Sequence, residues 1–253
     1  MQQTDQFERY KNEQPSFFQA IRDMEVKHNT SIINKMKERR YDFDSFRGIM
    51  VEVEYGLFLD QFAENLEYEP NIDGKTPDWL ASINGHNVIV EVARLKDSQE
   101  IEQQMQKDHQ SGTIGFHVLG SKPQRLYNNV ISRKTNKYID LLQSNGYSFI
   151  IGIYNTPVSG VRISDAAQLL HGRSIKYQYS GHIEVDRTET IFYSESFPDT
   201  KSVLNGVLWL NQPSFDPILR ICEPNKFIYW HNENANRQFG KIEILHQIAG
   251  SYD

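Results

Sequence analysis

Two acidic residues, Asp78 and Glu91, occur in a pattern that sets them face to face. Between Thr76-Pro77-Asp78-Trp79-Leu80 and Val88-Ile89-Val90-Glu91-Val92-Ala93-Arg94-Leu95 lies Ile83-Asn84-Gly85-His86. Asn-Gly flanked by apolar strand residues predicts a tight hairpin, because a type I′ turn needs positive φ at both central positions. With Asn84 and Gly85 as the loop, Ile83 faces His86, Ala81 faces Val88, Trp79 faces Val90 and Asp78 faces Glu91. Directly opposed residues have Cβ atoms about 4.5–5.5 Å apart, and like charges there repel. Such a pair needs positive charge between its members, and a hard divalent cation with oxygen ligands fits best. The plainer alternative is a solvated pair at a sheet edge. Val88, Val90 and Val92 weigh against it, because they mark the second strand as buried.

A second group of candidates follows. From Ser121 to Tyr138 there is no acidic residue, while Lys122, Arg125, Arg133, Lys134 and Lys137 are basic. Pro123 can open a helix, Leu126, Tyr127, Val130, Ile131, Tyr138, Leu141 and Leu142 give its apolar repeat, and Gly146 ends it. Lys134 falls near the middle of that stripe and Lys137 at its edge. A lysine in an apolar stripe must snorkel out, lower its pKa or pair with a carboxylate. The hairpin acids are natural partners if this helix packs over them.

Pro77-Asp78 and Glu91-Val92-Ala93 together resemble the motif of the PD-(D/E)xK nuclease superfamily, with Ala93 standing where that family usually has lysine. The likeness extends over roughly residues 47 to 240. A little-characterised bacterial branch of the family has a helix with Glu-Leu, a TPDFL–VEVT hairpin, a helix with Lys and Gln, a strand like SAVL and a late HNPNA segment. Glu54-Tyr55, Thr76 to Leu80, Glu91 to Leu95, Lys134 with Lys137, Asn205-Gly206-Val207-Leu208 and His231-Asn232-Glu233-Asn234-Ala235 occupy those places. Tyr55 replaces the family Leu, Lys137 stands where Gln is common, and Glu233 replaces Pro.

The resemblance implies an α/β fold with a restriction-endonuclease-like mixed β-sheet flanked by helices. It implies Mg²⁺ or Mn²⁺ held by Asp78, Glu91 and the carbonyl of Val92, and hydrolysis of DNA phosphodiester bonds. Asp78, Glu91, Glu54 and Lys134 would form the catalytic set, with Lys134 doing the work of the missing motif lysine. Glu54 matches the glutamate that the preceding helix often turns toward the metals, and Glu52, at the other margin of that helix's apolar face, is its rival. Lys122, Arg125, Arg133 and Lys137 would hold the phosphate backbone, and a homodimer would address two strands. Ala93 motivates the alternative, a nuclease fold without catalysis that serves as a nucleic-acid-binding or protein-interaction module.

The elements that must position these residues are legible as periodicities. Phe7, Tyr10, Phe17, Phe18, Ile21, Met24, Ile32, Ile33 and Met36 predict one or two amphipathic helices over residues 1–45, the second opened by Pro15. Lys35, Lys37, Arg39 and Arg40 form a basic end there, read as a solvated face. Val51, Tyr55, Phe58, Leu59, Phe62 and Leu66 predict a longer helix over 46–67. Asn71-Ile72-Asp73-Gly74 is a loop. A polar helix is expected over 97–110 and an extended piece over 114–119. Tyr147 to Tyr154 is a continuous apolar run that favours a buried strand reached by a helical crossover. Ser164-Asp165 can cap a short helix through Leu170. Thr190 to Tyr193, Val207 to Leu210 and Phe227 to Trp230 read as strands. The expected organisation is a helical N-terminal extension, 1–45, followed by one nuclease-like domain, 46–253, with mixed C-terminal additions.

The chain of 253 residues is long enough for one large domain and has an ordinary globular composition. Its single Cys, Cys222, excludes an internal disulfide framework and reads as core. A polar N-terminus and the lack of a long apolar run point to a cytoplasmic protein without membrane segments. The net charge of −6 leaves room for a local basic stripe. There is no phosphate-binding Gly-rich loop, no Gly-x-Ser-x-Gly and no His-Glu-x-x-His, and His182 and His231 are isolated.

Overall fold

A computed structural model of the protein describes residues 4–95, 107, 123–155, 161–176, 183–186, 190–211 and 227–235. In chain order its helices and strands are α1 (Gln6–Glu13), α2 (Pro15–His28), α3 (Ile32–Glu38), α4 (Phe43–Asp60), β1 (Asn65–Tyr68), β2 (Trp79–Ile83), β3 (His86–Leu95), α5 (Pro123–Leu126), a π-helical turn (Tyr127–Ile131), α6 (Ser132–Ser144), β4 (Ser148–Asn155), α7 (Ile163–His171), β5 (Arg173–Lys176), β6 (Ile183–Asp186), α8 (Pro198–Val203), β7 (Leu204–Asn211) and β8 (Phe227–His231). Save for Lys107, the helix expected over 97–110 lies outside the described residues, as do the piece expected over 114–119, Lys122, His182 and Cys222.

A six-stranded mixed sheet in the order β1-β2-β3-β4-β7-β8 is flanked by helices, and β5 and β6 pair separately. The first three strands form an antiparallel meander. β3, β4 and β7 run parallel, and β8 returns antiparallel at the far edge. The Asn84-Gly85 turn sets the hairpin register, with φ of 52° and 75° and pairs Ile83–His86, Ala81–Val88 and Trp79–Val90. Parallel neighbours need a crossover, and α5 to α6 supply it between β3 and β4. β4 is buried on both faces. Ile150 and Tyr154 join the core beneath α1 to α4, while Phe149, Ile151 and Ile153 join the core beneath α6 and α7. No helix among the described residues is long and apolar enough to cross a membrane.

α4 is the long spine of its layer. Asp42 caps it, accepting from the Ser45 N–H at 3.2 Å and the Ser45 hydroxyl at 2.6 Å. Phe7, Tyr10, Phe18 and Met24 of α1 and α2 share one core with Phe46 and Met50 of α4, with Tyr10 stacked on Phe46 at 5.6 Å. The N-terminal segment therefore folds as three helices against α4, where one or two were expected, because the break at Asn29 separates Ile32–Glu38 from the helix before it.

Four expectations are corrected. The helix expected over 46–67 spans Phe43–Asp60, and Leu66 belongs to β1, where it is buried between exposed Asn65 and Glu67. Leu66 satisfies a helical and an alternating repeat equally, and pairing with β2 decides for the strand. Thr190 to Tyr193 is a turn, with the Ile191 and Phe192 N–H groups donating to the carbonyls of Leu169 and Leu170. Its apolar side chains are buried under the end of α7 without a ladder. α7 is capped at Arg162, whose N–H donates to Asp165 Oδ2 at 2.8 Å, rather than at Ser164. The basic end near Lys35 is not merely solvated, because Lys35 donates to the Tyr68 hydroxyl at 2.9 Å.

Two glycines of α4 predict opposite responses to one substitution. A Cβ on Gly56 would come within 2.2 Å of the fully buried Trp79 ring, whereas one on Gly48 would meet nothing within 4 Å. In urea unfolding, Gly56→Ala should destabilise by about 1–3 kcal/mol through overpacking. Gly48→Ala should stabilise by up to about 1 kcal/mol through helix propensity. Equal effects would contradict this packing of α4 on β2.

Candidate active site on the β2–β3 hairpin

Trp79 anchors the base of the hairpin. Its ring lies between Gly56 and Tyr68, the latter with centroids 4.8 Å away, and its indole N–H donates to the Glu52 carbonyl at 2.9 Å. Trp79–Val90 is the terminal pair of the ladder, so Asp78 and Glu91 come next. The Asp78 N–H donates to Glu91 Oε2 at 3.3 Å, and the Val92 N–H donates to Asp78 Oδ2 at 2.6 Å. A strand residue presents its N–H and C=O on the same edge, so the Val92 carbonyl also leaves β3 on the side of Asp78.

Glu91 is 1% exposed and lies on the β3 face covered by α6. Its Oε1 accepts from Lys134 Nζ at 2.7 Å and Lys137 Nζ at 3.1 Å. Its Oε2 accepts from the Tyr138 hydroxyl at 2.8 Å. Lys134, Lys137 and Tyr138 project from one helix face, as spacings of three and four require. Lys137 and Tyr138 also reach the Thr76 carbonyl, at 3.4 and 3.0 Å, and so tie the segment before Asp78 to α6. The π-helical turn just before α6 adds a residue to the helix and rotates everything after it, a device frequent at functional sites. Ala93 packs in the same core as Val130, Ile131 and Tyr138, so a longer side chain there would run into the layer that delivers Lys134.

The electrostatics follow from burial. Burial, then the charge of Glu91 and then that of Glu52, push the Asp78 carboxyl up to about 8, against the opposing pull of Lys134 and the Val92 N–H. Burial and the adjoining Glu91 charge raise the Tyr138 phenol, which stays a donor. Burial also raises Glu52, against the Tyr68 hydroxyl that donates to its Oε2 at 2.6 Å and the Lys35 ammonium at 3.7 Å.

The structure thus brings Asp78, Glu91, Lys134 and Lys137 together and adds Tyr138 and Glu52. Glu54 goes elsewhere. It is buried, but its charge acts on Tyr154 of β4, where Arg47 and Arg94 also act. Glu52 and Gly56 lie on the α4 margin over Trp79, and Glu54 lies about 200° round the helix from Glu52. The rival margin is therefore the one facing Asp78. Arg133, beside Lys134 on α6, is exposed, and Arg125, on α5, is half-buried. The signal for Tyr138 was its place four residues after Lys134, hidden by reading its ring as apolar.

Among the described residues no three His, Cys, Asp or Glu side chains converge to hold a metal. The donor set that does fit a hard cation is one pair of carboxylates and a carbonyl. Burial and then the Glu91 charge raise Asp78, and a cation beside it would offset both. Glu91 already has donors on both oxygens, so a cation must compete for it.

The Asp78 shift gives a pH test. Its folded value, about 8, exceeds the ordinary 3.8. The unfolded chain then binds fewer protons between those values, so this group's contribution to stability falls as pH rises through that window. In metal-free buffer the wild-type Tm should fall more steeply from acid to mildly alkaline pH than that of Asp78→Asn. Saturating Mg²⁺ should restore stability at the alkaline end in the wild type alone. Equal slopes in the two proteins would remove the charge conflict from this site.

Compared with known protein families, curated proteins and solved structures, the chain matches none.

Proposed function

We propose that this protein is a metal-dependent nuclease that hydrolyses DNA phosphodiester bonds on a restriction-endonuclease-like core. The observation that carries the reading is the 2.7 Å contact between Lys134 and Glu91, beside Asp78. An acid pair and a lysine meet there although position 93 is alanine. The order of elements agrees: a helix, α4, then the β2–β3 hairpin, then the α5 to α6 helix, then β4 parallel to β3.

Asp78, Glu91 and the Val92 carbonyl would hold Mg²⁺ or Mn²⁺, which supplies an activated water and neutralises charge on the phosphoryl oxygens. The chain's own part is positional and electrostatic. Lys134 holds an ammonium beside Glu91, where it would offset negative charge building on the phosphoryl oxygens. Tyr138 fixes the orientation of the Glu91 carboxylate. Arg125, Arg133 and Lys137, with Lys122 from the same basic run, would bind backbone phosphates and set register without reading sequence.

A second reading keeps the fold and loses catalysis, leaving a nucleic-acid-binding or protein-interaction module. It is favoured by the donors that already satisfy Glu91. Pure protein incubated with plasmid and single-stranded DNA in Mg²⁺ or Mn²⁺ separates the two. Cleavage should appear with either metal and vanish in Asp78→Ala. Lys134→Ala should lower the turnover rate about a hundredfold while DNA affinity changes little. Salt-sensitive DNA binding without cleavage would select the second reading, and neither binding nor cleavage would select a protein-interaction role.

A further inference from the structure

We propose that Lys137 is an exchangeable counter-ion for Glu91, which a backbone phosphate draws away so that a divalent cation and a nucleic-acid strand reinforce each other's binding. The inference rests on the metal-dependent reading above and deepens it. Two ammonium groups share one oxygen, Glu91 Oε1, at 2.7 and 3.1 Å. They are not equivalent. The Lys134 side chain is 25% exposed, and that of Lys137 is 44% exposed. Glu91 itself is buried, so it must keep one cation, and Lys134 on the same oxygen supplies it. The more exposed Lys137 is therefore the one that can leave.

A divalent ion on either oxygen of Glu91 repels both ammonium groups on Oε1, so binding it favours release of one of them. The phenol beside Glu91 keeps a partner when the cation enters. The Tyr138 hydroxyl has one proton and two acceptors in reach, Glu91 Oε2 and the Thr76 carbonyl. It can give up the first and keep the second. Lys137 can swing from Glu91 toward solvent, and a phosphodiester oxygen at that opening gives it a new anionic partner. Phosphate therefore favours the state that accepts the cation, and by linkage the cation favours the state that accepts phosphate. Lys134, more deeply set, stays.

The test is Mn²⁺ titration calorimetry on the full chain, with and without a phosphorothioate DNA duplex that resists hydrolysis. In the wild type, the duplex should tighten Mn²⁺ binding about fivefold or more. Lys137→Gln should bind Mn²⁺ more tightly than the wild type in the absence of DNA and lose most of that enhancement. Lys137→Arg, which keeps the charge, should behave as the wild type. If Lys137→Gln binds Mn²⁺ no more tightly than the wild type, the inference is overturned and the metal site stands. If neither protein binds Mn²⁺, the metal-dependent reading falls together with the inference. If Mn²⁺ binding responds to Lys137 as stated but DNA is never cleaved, the inference stands and the hydrolytic reading falls.

Discussion

Glu91 carries a carboxylate into the contact between a sheet and a helix, where it is 1% exposed. An unpaired charge there would cost several kcal/mol. The surroundings answer that constraint from three directions. α6 turns two ammonium groups and a phenol onto it, the Asp78 main chain donates to it, and the segment through Thr76 is fastened to the same helix. Asp78 receives fewer donors, so the conflict left over from pairing two acids accumulates there. The site is therefore both assembled and strained: internal cations compensate one acid, while the other is held where it resists ionisation.

The rest of the fold keeps this hairpin end in place. Gly56 lets α4 approach Trp79 closely, and the Trp79 indole N–H fixes the helix to the hairpin through the Glu52 carbonyl. α1 to α3 buttress α4 from behind, and Lys35 of α3 reaches the Tyr68–Glu52 pair. On the far side of the sheet, Asn205 and Asn232 stitch β7 to its neighbours. Asn205 Oδ1 accepts from the Phe149 N–H at 2.8 Å, and Asn232 donates to the carbonyls of Lys201 and Leu204. The segments around Asn205 and Asn232 thus have a structural task some strands away from the acids.

Much of this could be read from the chain because the informative rules are local. Asn84-Gly85 fixes a register by itself, and that register carries Asp78 to Glu91. Lys134 betrayed itself as a charge in an apolar stripe. What could not be read depends on neighbours distant in sequence. Glu52 and Glu54 are symmetric about the apolar face of α4, and only the position of β2 under one margin distinguishes them. Leu66 fits a helix and a strand alike until β2 offers a ladder. Lys137 looked like a surface phosphate contact because the periodicity of α6 says nothing about which acid waits opposite its margin. The ring of Tyr138 fits the apolar repeat of its helix, and only the fold shows its hydroxyl on Glu91.

What is proposed for this site is that Asp78 and Glu91 together hold one divalent cation. It is tested most directly by crystals soaked in Mn²⁺ and measured at a wavelength where manganese scatters anomalously. The account predicts a single strong anomalous peak bonded to a carboxylate oxygen of Asp78 and one of Glu91, with the Val92 carbonyl as a third ligand and Lys137 moved off Glu91. No peak at saturating Mn²⁺, or a peak elsewhere with both lysines still on Glu91, would contradict it.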